Sequence, residues 1–368
     1  IDAELSSPRR KLEIVISIAK LLMSNSPGLS LNFLSDQLNE EENDERILRL
    51  YAKNCEMVGE IDKAINSLRD AVQPSSVDLR DRLEQNQSWI TKGYDLDFLG
   101  SRKNDFDSRD KTIMYNVHAC LPFVTSGYTI RTKHVAKALS DSGFDIEVNT
   151  RYGFPLDRAD YDRDKEVETK IFDNGITYRL APSKKGMNEK KGEDYCRENA
   201  NSILQRALEI KPTAIVSASD SSVGLASCMV SRYLGIPFIY EMRGLWALTR
   251  AANNQNFEGS TKFKVLMSLE KQCARSADLV LAISKPMKEL LISWGVDDDR
   301  IIVVPNGVSK DSEDPTVELT RKKRGFSSEA ELVMGYIGSI VEYEGLELLV
   351  HLAEELEKRG NDNFRIKI

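Results

Sequence analysis

The sequence predicts an α/β protein with a doubly wound parallel sheet, preceded by an all-helical region. Short apolar runs alternate with helical patterns from Thr112 to Val304, which is typical of a parallel sheet with helices on both faces. A glycine turn, residues 122–128, directly follows the first of these runs. Before residue 77 the apolar residues recur at helical spacing instead, so no strand is expected there.

The composition is that of a soluble globular protein. The 368 residues are 41% hydrophobic and 30% charged, and this length allows two or three domains. The net charge of −7 argues against a nucleic-acid partner. No stretch of the sequence approaches the roughly 18 consecutive apolar residues of a membrane-spanning helix, so no transmembrane segment is expected.

The positions of cysteine and histidine argue against a metal site. The five cysteines are scattered without a C-x-x-C pair, and the three histidines are far apart in the sequence. We therefore expect reduced thiols in or near hydrophobic cores, which fits a cytoplasmic location. Neither a metal nor a bound cofactor is expected.

Residues 1–76 are expected to form a helical region that binds protein partners or self-associates. Tyr51, Gly59 and Ala64 are spaced as in one tetratricopeptide repeat, which this region resembles. The signature tryptophan of that repeat and the tyrosine after its glycine are missing, so a generic helical hairpin is an equal alternative. Residues 77–110 are polar and are expected to be a linker that begins with a short helix.

Residues 111–310 are expected to form the main αβ domain, and residues 311–368 a linker followed by the truncated start of a second domain. Within the main domain, Arg151–Gly175 is charged and is expected to be an exposed insert. The pattern predicts strands near residues 112–119, 145–150, 176–180, 214–218, 238–242, 279–283, 301–304, 332–337 and 364–368.

Five short motifs resemble, in their order and spacing, the retaining nucleotide-sugar glycosyltransferases of family 4, which have the GT-B fold. The motifs are Ser126-Gly127, residues 235–241 (GIPFIYE), residues 277–284 (ADLVLAIS), residues 304–308 (VPNGV) and residues 335–339 (GYIGS). None of them is specific alone. The resemblance extends from about Lys111 to the last residue.

The resemblance implies two Rossmann-like domains facing each other across a cleft, the first holding mainly the acceptor and the second mainly the donor. The donor is then a nucleotide sugar, and the transfer retains the anomeric configuration without a metal. The leaving diphosphate needs stabilisation by backbone N–H groups and cations. Gly127 suits this task because a side chain would keep the backbone away from a phosphate. A plain strand-to-helix turn is the alternative.

The catalytic candidates are Glu241, Arg243 and His118. Arg243 is expected to contact the diphosphate or the acceptor, and Glu241 to orient Arg243 or a hydroxyl; a structural ion pair is the alternative. His118 is expected either to take part in the site or only to support the fold, and the two alternatives are equal. Ser284 has a helix N-cap as its alternative role. The donor-binding candidates are Ser126, Gly127, Ser284, Asn306, Gly338 and Ser339.

The second domain departs from the family pattern at two positions. Many relatives have an arginine after the glycine at Gly338 and a lysine several residues later, whereas this chain has Ser339 and, approximately, Glu344. The paired glutamates of the family belong beyond Ile368. The polypeptide is therefore expected to be a fragment with an incomplete donor site and no activity alone.

Three classes of function are open on this basis. The leading expectation is a cytoplasmic hexosyltransferase of polysaccharide biosynthesis, peripheral at the inner membrane face, with a glycan or lipid-linked acceptor. The second is a non-catalytic scaffold with a degenerate transferase domain, which the altered donor positions favour. The third is a sugar-nucleotide epimerase of the same fold, which would lack an acceptor groove.

Overall fold

The computed structural model describes most of the chain and divides it into two compact units. The units comprise Ile1–Pro305 and Asn306–Ile368. The described residues are 8–38, 44–162, 164–184, 192–254, 256–307, 332–338, 340, 344–361 and 363–368. The predicted class is confirmed: a mixed α/β protein with a helical region at its N-terminal end.

The helical region consists of two helix pairs and a longer fifth helix. Its elements are α1 (Pro8–Asn25), α2 (Pro27–Gln37), α3 (Glu45–Val58), α4 (Ile61–Ser67) and α5 (Pro74–Thr91). At the start of α3 the side chain of Asp44 accepts a hydrogen bond from the backbone N–H of Arg46 at 2.8 Å. The helix ends at Gly59, whose φ of +78° lies in the left-handed region that glycine favours.

Helix α5 lies where the sequence predicted the boundary between the helical region and a linker. Pro74 occupies its first turn, where a missing N–H group costs nothing, so this proline starts a helix instead of breaking one. Leu79 and Leu83 on α5 are buried against the preceding helices. The first part of the expected linker is therefore an integral helix of the fold.

The first unit contains one sheet of eight strands in the order β3-β4-β2-β1-β5-β6-β7-β8. The strands are β1 (Thr112–Val117), β2 (Asp145–Gly153), β3 (Lys170–Asp173), β4 (Ile176–Pro182), β5 (Ala214–Ala218), β6 (Phe238–Met242), β7 (Leu279–Ala282) and β8 (Ile301–Val303). All neighbouring strands are parallel except β3 and β4. The expected parallel sheet is present, with one antiparallel strand added at its edge.

Strand β3 lies inside the segment expected to be an exposed insert. Asn174 and Gly175 form the two-residue turn between β3 and β4, and their φ angles are +49° and +81°. Asn-Gly is the dipeptide that most readily adopts this pair of left-handed conformations, so it closes a hairpin. The segment therefore ends in an edge hairpin. The expectation of an exposed insert is wrong for its first part, because Arg151 forms a buried ion pair with Asp157 and Phe154 packs in a hydrophobic core.

Helices cover both faces of the sheet. Every residue of β1 is buried, and its side chains alternate between two hydrophobic cores: Met114 belongs to one core and Tyr115 to the other. The helices of this part are α6 (Gly127–Asp141), α7 (Gly192–Ile210), α8 (Ser221–Leu234), α9 (Trp246–Asn253), α10 (Thr261–Ser276) and α11 (Lys285–Ser293). A strand buried on both faces is typical of a parallel α/β sheet.

The helical region is fixed to the sheet part through α10. Three side chains spaced four residues apart on α10 donate hydrogen bonds to main-chain carbonyl groups of the preceding region. The pairs are Lys264 Nζ to Gly59 at 2.7 Å, Ser268 Oγ to Ile90 at 2.9 Å and Gln272 Nε2 to Tyr94 at 2.8 Å. Residues four apart share one face of a helix, so these carbonyl contacts form a line along α10.

The strand order places a crevice between β1 and β5. The chain leaves β1 toward β2 on one side, and it later returns to add β5 on the other side of β1. Loops after two such strands turn in opposite directions, which leaves an opening at the carboxyl ends of the strands. Ligands of open α/β sheets bind at such a switch point, so this edge is where a site is expected.

The second unit is small. Strands β9 (Leu332–Gly335) and β10 (Phe364–Lys367) pair in parallel, and helix α12 (Glu347–Lys358) lies between them in the sequence. This is one strand-helix-strand element, as the sequence predicted for this end of the chain. Throughout the part of the chain that the structure describes, no helix is both long and apolar enough to span a bilayer.

Replacing Gly59 tests the fixed position of the helical region. A Cβ atom at Gly59 would lie 2.0 Å from the carbonyl oxygen of Gly259, and the left-handed φ adds strain. We expect Gly59→Ala to lower the free energy of unfolding by more than about 2 kcal/mol in urea denaturation. Gly28→Ala is the matched control, because nothing lies within 4 Å of its Cβ position. Equal stability of the two variants would contradict the packing described.

Candidate functional site

The glycine turn after β1 ends in a capped helix start. The side chain of Ser126 accepts a hydrogen bond from the N–H of Thr129 at 3.3 Å, and Thr129 Oγ1 accepts one from the N–H of Ser126 at 3.0 Å. This reciprocal pair is a capping box. Within the described ranges, the N–H groups of Gly127 and Tyr128 have no acceptor, so they are available to a ligand.

Gly127 leaves open space in front of this helix start. Its φ is not in the left-handed region, and no atom lies within 4 Å of the position that a Cβ would occupy. The local fold therefore does not require glycine at this position. The absence of a side chain keeps the two free N–H groups accessible, as the sequence analysis expected.

The neighbouring helix start, at α8, is filled by the protein itself. Glu270 Oε1 accepts a hydrogen bond from the N–H of Ser221 at 2.8 Å, and Asp220 Oδ1 accepts one from the N–H of Ser222 at 2.9 Å. The two side chains occupy N–H groups that an anion would need, and the negative charge of Asp220 repels a further anion. Of the two helix starts beside the crevice, α6 is thus the one suited to a phosphate.

Glu241 at the end of β6 is the centre of a buried ionic network. Its carboxylate accepts hydrogen bonds from Arg131 Nε and Arg243 Nη2, both at 2.7 Å, and from the hydroxyl of Tyr115. The side chains of Glu241 and Arg243 are 2% and 6% exposed. Arg131 also donates to the carbonyl of Val304 at 2.8 Å, just beyond β8.

Arg243 connects the same network to α6. Its Nη1 atom donates to the carbonyl of Tyr128 and to the hydroxyl of Thr132, both at 2.8 Å, and its guanidinium lies 4.5 Å from the centre of the Tyr128 ring. These contacts describe the structural ion pair that the sequence analysis gave as the alternative for Glu241 and Arg243. A catalytic role for either residue stays a prediction.

The protonation states of this network are fixed by its own contacts, in which two guanidinium groups share one carboxylate. Burial alone would raise the pKa of Glu241, but Arg243, Tyr115 and Arg131 together hold this pKa below its usual value. Burial and the neighbouring carboxylate raise the pKa of Tyr115. Glu241 is therefore ionised and Tyr115 neutral over the whole physiological pH range.

His118 follows β1 and faces protein groups with both ring nitrogens. Arg151 Nε donates to its Nε2 at 3.2 Å, and Nδ1 lies 3.8 Å from Asp220 Oδ2. Its backbone N–H donates to the hydroxyl of Tyr128 at 3.0 Å, and its ring meets Trp246 edge to face at 4.8 Å. His118 therefore touches the glycine-turn helix and the crevice, while its catalytic role stays a prediction.

The remaining donor candidates are distributed over both units. Ser284 follows β7, and its side chain accepts from the N–H of Met287 at 3.3 Å, which is the N-cap role given as its alternative. Asn306 and Gly338 belong to the second unit, and Ser339 lies outside the described residues. A Cβ at Gly338 would lie 2.5 Å from the hydroxyl of Tyr336.

Three residues of the site were not singled out from the sequence: Arg131, Tyr115 and Asp220. Arg131 lies four residues after Gly127 on α6, so helical spacing places the two residues on the same face of the helix. Asp220 precedes the helical run that starts at Ser221, which is an N-cap signal.

In the part of the chain that the structure describes, no three His, Cys, Asp or Glu residues are grouped as metal ligands. The expectation of no metal stays a prediction.

One known protein family matches part of the sheet region. Residues 126–307 match the glycosyl transferase 4-like domain. The matched segment starts at the cap of α6 and includes α8, β6 and α9. It comprises slightly less than half of the chain. No curated protein sequence matches the chain.

Solved structures that resemble the chain are distant in sequence. They include HepE from Anabaena in complex with UDP and glucose (13% identity, TM-score 0.44), the apo lipopolysaccharide outer core galactosyltransferase WaaB (17%, 0.42) and UDP-GlcNAc 2-epimerase from Methanocaldococcus jannaschii (14%, 0.40). The alignments cover 69%, 69% and 70% of this chain and 59%, 67% and 65% of those chains. All TM-scores are below 0.5, so these structures do not bear on function.

Removing the charge of Glu241 should destabilise the sheet part of the protein. Glu241→Gln leaves two buried guanidinium groups without their anion, and we expect a loss of about 3 kcal/mol in the free energy of unfolding. The loss should be full above pH 4.5 and shrink as pH falls through the lowered folded pKa. Glu209→Gln, which removes an exposed ion pair with Arg206, should cost less than about 1 kcal/mol. A similar loss in both variants would contradict the network.

Glu270 should make stability depend on pH. Burial raises its pKa to about 7, although hydrogen bonds from Tyr240 and Ser221 oppose this shift. The folded protein thus holds a proton that the unfolded chain releases near pH 4.5, so stability should fall between pH 4.5 and 7 and then level off. Urea denaturation across this range should show a smaller fall for Glu270→Gln. The exposed Glu289→Gln should keep the wild-type slope, and an unchanged slope in both variants would refute the assignment.

Proposed function

We propose that this protein is a retaining glycosyltransferase that moves a sugar from a nucleotide-sugar donor to a glycan or lipid-linked acceptor. The observation that carries the proposal is the open start of α6 at the switch point of the sheet. Two N–H groups without acceptors, Gly127 and Tyr128, lie there within the glycosyl transferase 4-like domain.

The chemistry of sugar transfer explains why such a helix start is useful. As the bond between the sugar and the diphosphate breaks, negative charge grows on the leaving phosphate oxygens. Backbone N–H groups at a helix N-terminus stabilise that charge without needing to reorganise. The Glu241–Arg131–Arg243 network holds α6 against β6 and β1, so the two donors keep their direction.

We propose that transfer needs no metal, because the N–H groups at the start of α6 would stabilise the negative charge of the leaving group. We further propose a cytoplasmic enzyme, peripheral at the inner membrane face, since lipid-linked acceptors are reached there. We propose that the transferred sugar keeps its anomeric configuration, as the motif resemblance implies.

A scaffold function is the second candidate, because α1 exposes an apolar stripe. Ile14, Ile18 and Leu21 are 42%, 40% and 67% exposed and lie on one side of the helix. Such a stripe suits a protein partner or self-association through residues 1–76. This function would not depend on the start of α6, which separates it from the first candidate.

Nucleotide binding tests the proposed function. Using titration calorimetry of the full chain with UDP and GDP, we expect one of them to bind, and Gly127→Val to bind it at least tenfold more weakly because the side chain fills the open space. Gly28→Val is the matched control: it also lies in a first helical turn with open space around it, and it should bind as the wild type does. Equal binding by both variants would refute the role of α6.

The product distinguishes a transferase from an epimerase. The assay uses a polypeptide extended to include the donor-binding residues that are expected beyond Ile368, because the present chain is expected to be inactive alone. Its incubation with UDP-glucose, UDP-N-acetylglucosamine or GDP-mannose and a methyl glycoside should give a new glycosidic bond whose anomeric proton coupling matches that of the donor in NMR spectra. An epimerised sugar nucleotide would instead favour the alternative activity of the same fold. Inversion at the anomeric carbon would disprove the retaining mechanism.

A further inference from the structure

Two side chains meet at the switch point of the sheet beside the open start of α6. His118 follows the last residue of β1, and Asp220 follows β5 after Ser219. The strand order reverses between β1 and β5, so the crevice opens between these two residues. Their side chains are 19% and 15% exposed, which leaves part of each at the surface of the crevice.

The two carboxylate oxygens of Asp220 have different environments. Oδ1 accepts hydrogen bonds from the backbone N–H and from the hydroxyl of Ser222. No group in the described ranges donates to Oδ2, and this oxygen is not among the fully enclosed polar atoms without a partner. One oxygen therefore holds the turn, while the other is open to a donor from outside.

His118 keeps this second oxygen in place. Burial lowers the pKa of His118 to about 4, with Asp220 opposing and Arg151 adding to the shift, so the ring is neutral at pH 7. Because Arg151 donates to Nε2, the proton of the neutral ring lies on Nδ1. Nδ1 is 3.8 Å from Asp220 Oδ2, beyond a hydrogen bond but close enough for the N–H dipole to attract the carboxylate.

An indole ring also contacts His118. Trp246 is 41% exposed, although it is large and apolar, and it contacts the imidazole edge to face at 4.8 Å. An exposed aromatic ring and an open carboxylate that both lie next to His118 suit a molecule with both an apolar face and hydroxyl groups. A sugar has this combination: its C–H face packs on the ring, and a hydroxyl donates to the oxygen.

The charge at this point selects against an anion. Asp220 and Glu270 both lie at the start of α8, and each satisfies one of its N–H groups. A phosphate would meet the negative field of Asp220, whereas a hydroxyl group would donate a charge-assisted hydrogen bond to it. The α6 start and the α8 start therefore differ in the ligand chemistry that they favour.

We infer that Asp220 Oδ2 and the Trp246 ring form a subsite for a neutral sugar, in which Asp220 accepts a hydrogen bond from a sugar hydroxyl and His118 is a positioning residue. The inference rests on the proposed function and deepens it, because the sugar in this subsite is the acceptor. The donor phosphates lie at α6, and the acceptor hydroxyl is held across the crevice at β5.

Imidazole NMR tests the subsite directly. The full chain carrying ¹⁵N-labelled histidine is titrated with methyl α-D-glucopyranoside and with its galacto and manno epimers. We expect at least one of the three to shift the Nδ1 signal of His118 in a saturable way. The exposed His134 and His351 are internal references and should not move.

Two aspartate variants separate the subsite from general effects of lost charge. Asp220→Asn keeps a good helix cap and should bind the glycoside at least tenfold more weakly. Asp278→Asn is the matched control. Asp278 also accepts a backbone N–H, that of Phe238 at 2.7 Å, but at the opposite end of the strands. It should bind the glycoside as the wild type does.

The role of the aromatic ring has its own pair of variants. Trp246→Ala should weaken glycoside binding to a similar extent, and Trp246→Phe should restore most of it, because a phenyl ring still offers a face to the sugar. Equal affinity in Asp220→Asn and wild type, or no saturable shift of His118 with any of the three glycosides, would overturn the inference.

A parallel titration with UDP and GDP, followed through the amide signals of Gly127 and Tyr128, separates this inference from the proposed function. A chain that binds a nucleotide but no glycoside retains the proposed donor site and loses the acceptor subsite. If the chain binds the glycoside at Asp220 but binds neither nucleotide, a sugar subsite is supported. The proposed transferase activity is then refuted, and with it the role of this sugar as the acceptor.

Discussion

The edge of the sheet that carries the site depends on one buried carboxylate. Glu241 lies between two guanidinium groups, and through them it connects β6 to β1, to the helix of the glycine turn and to the residue after β8. A buried cluster of this kind is stable only when each charge has its partners, since a single unpaired ion in the interior costs several kcal/mol. The orientation of α6 and the relative positions of the ends of β1, β6 and β8 therefore depend on the same network.

Much of the fold could be predicted from the sequence, because local patterns decide it. The runs at 214–218 and 238–242 became strands with the predicted bounds. Strand β3 was missed because it is only four residues long, two of them charged and none of them buried, although the Asn-Gly turn after it was a readable hairpin signal. The helix expected at the start of the linker begins at Pro74 and not after residue 77, because proline is well suited to a first helical turn.

The site was predictable only where it is local in sequence. The cap Ser126 and the glycine after it are adjacent, so their pattern could be recognised. The partners of Glu241 are not adjacent: Arg131 is 110 residues away and Tyr115 is 126 residues away. Likewise, Asp220 meets His118 only because β5 is placed next to β1. Such pairs follow from strand order, which composition and periodicity do not determine.

The carbonyl contacts of α10 have a consequence for how this protein can change over evolutionary time. The side chains of Lys264, Ser268 and Gln272 bind main-chain oxygens, which every amino acid possesses. The helical region can therefore exchange most of its surface side chains without releasing its attachment, provided that its backbone path stays the same. One sheet part could in this way carry helical regions of very different surface character.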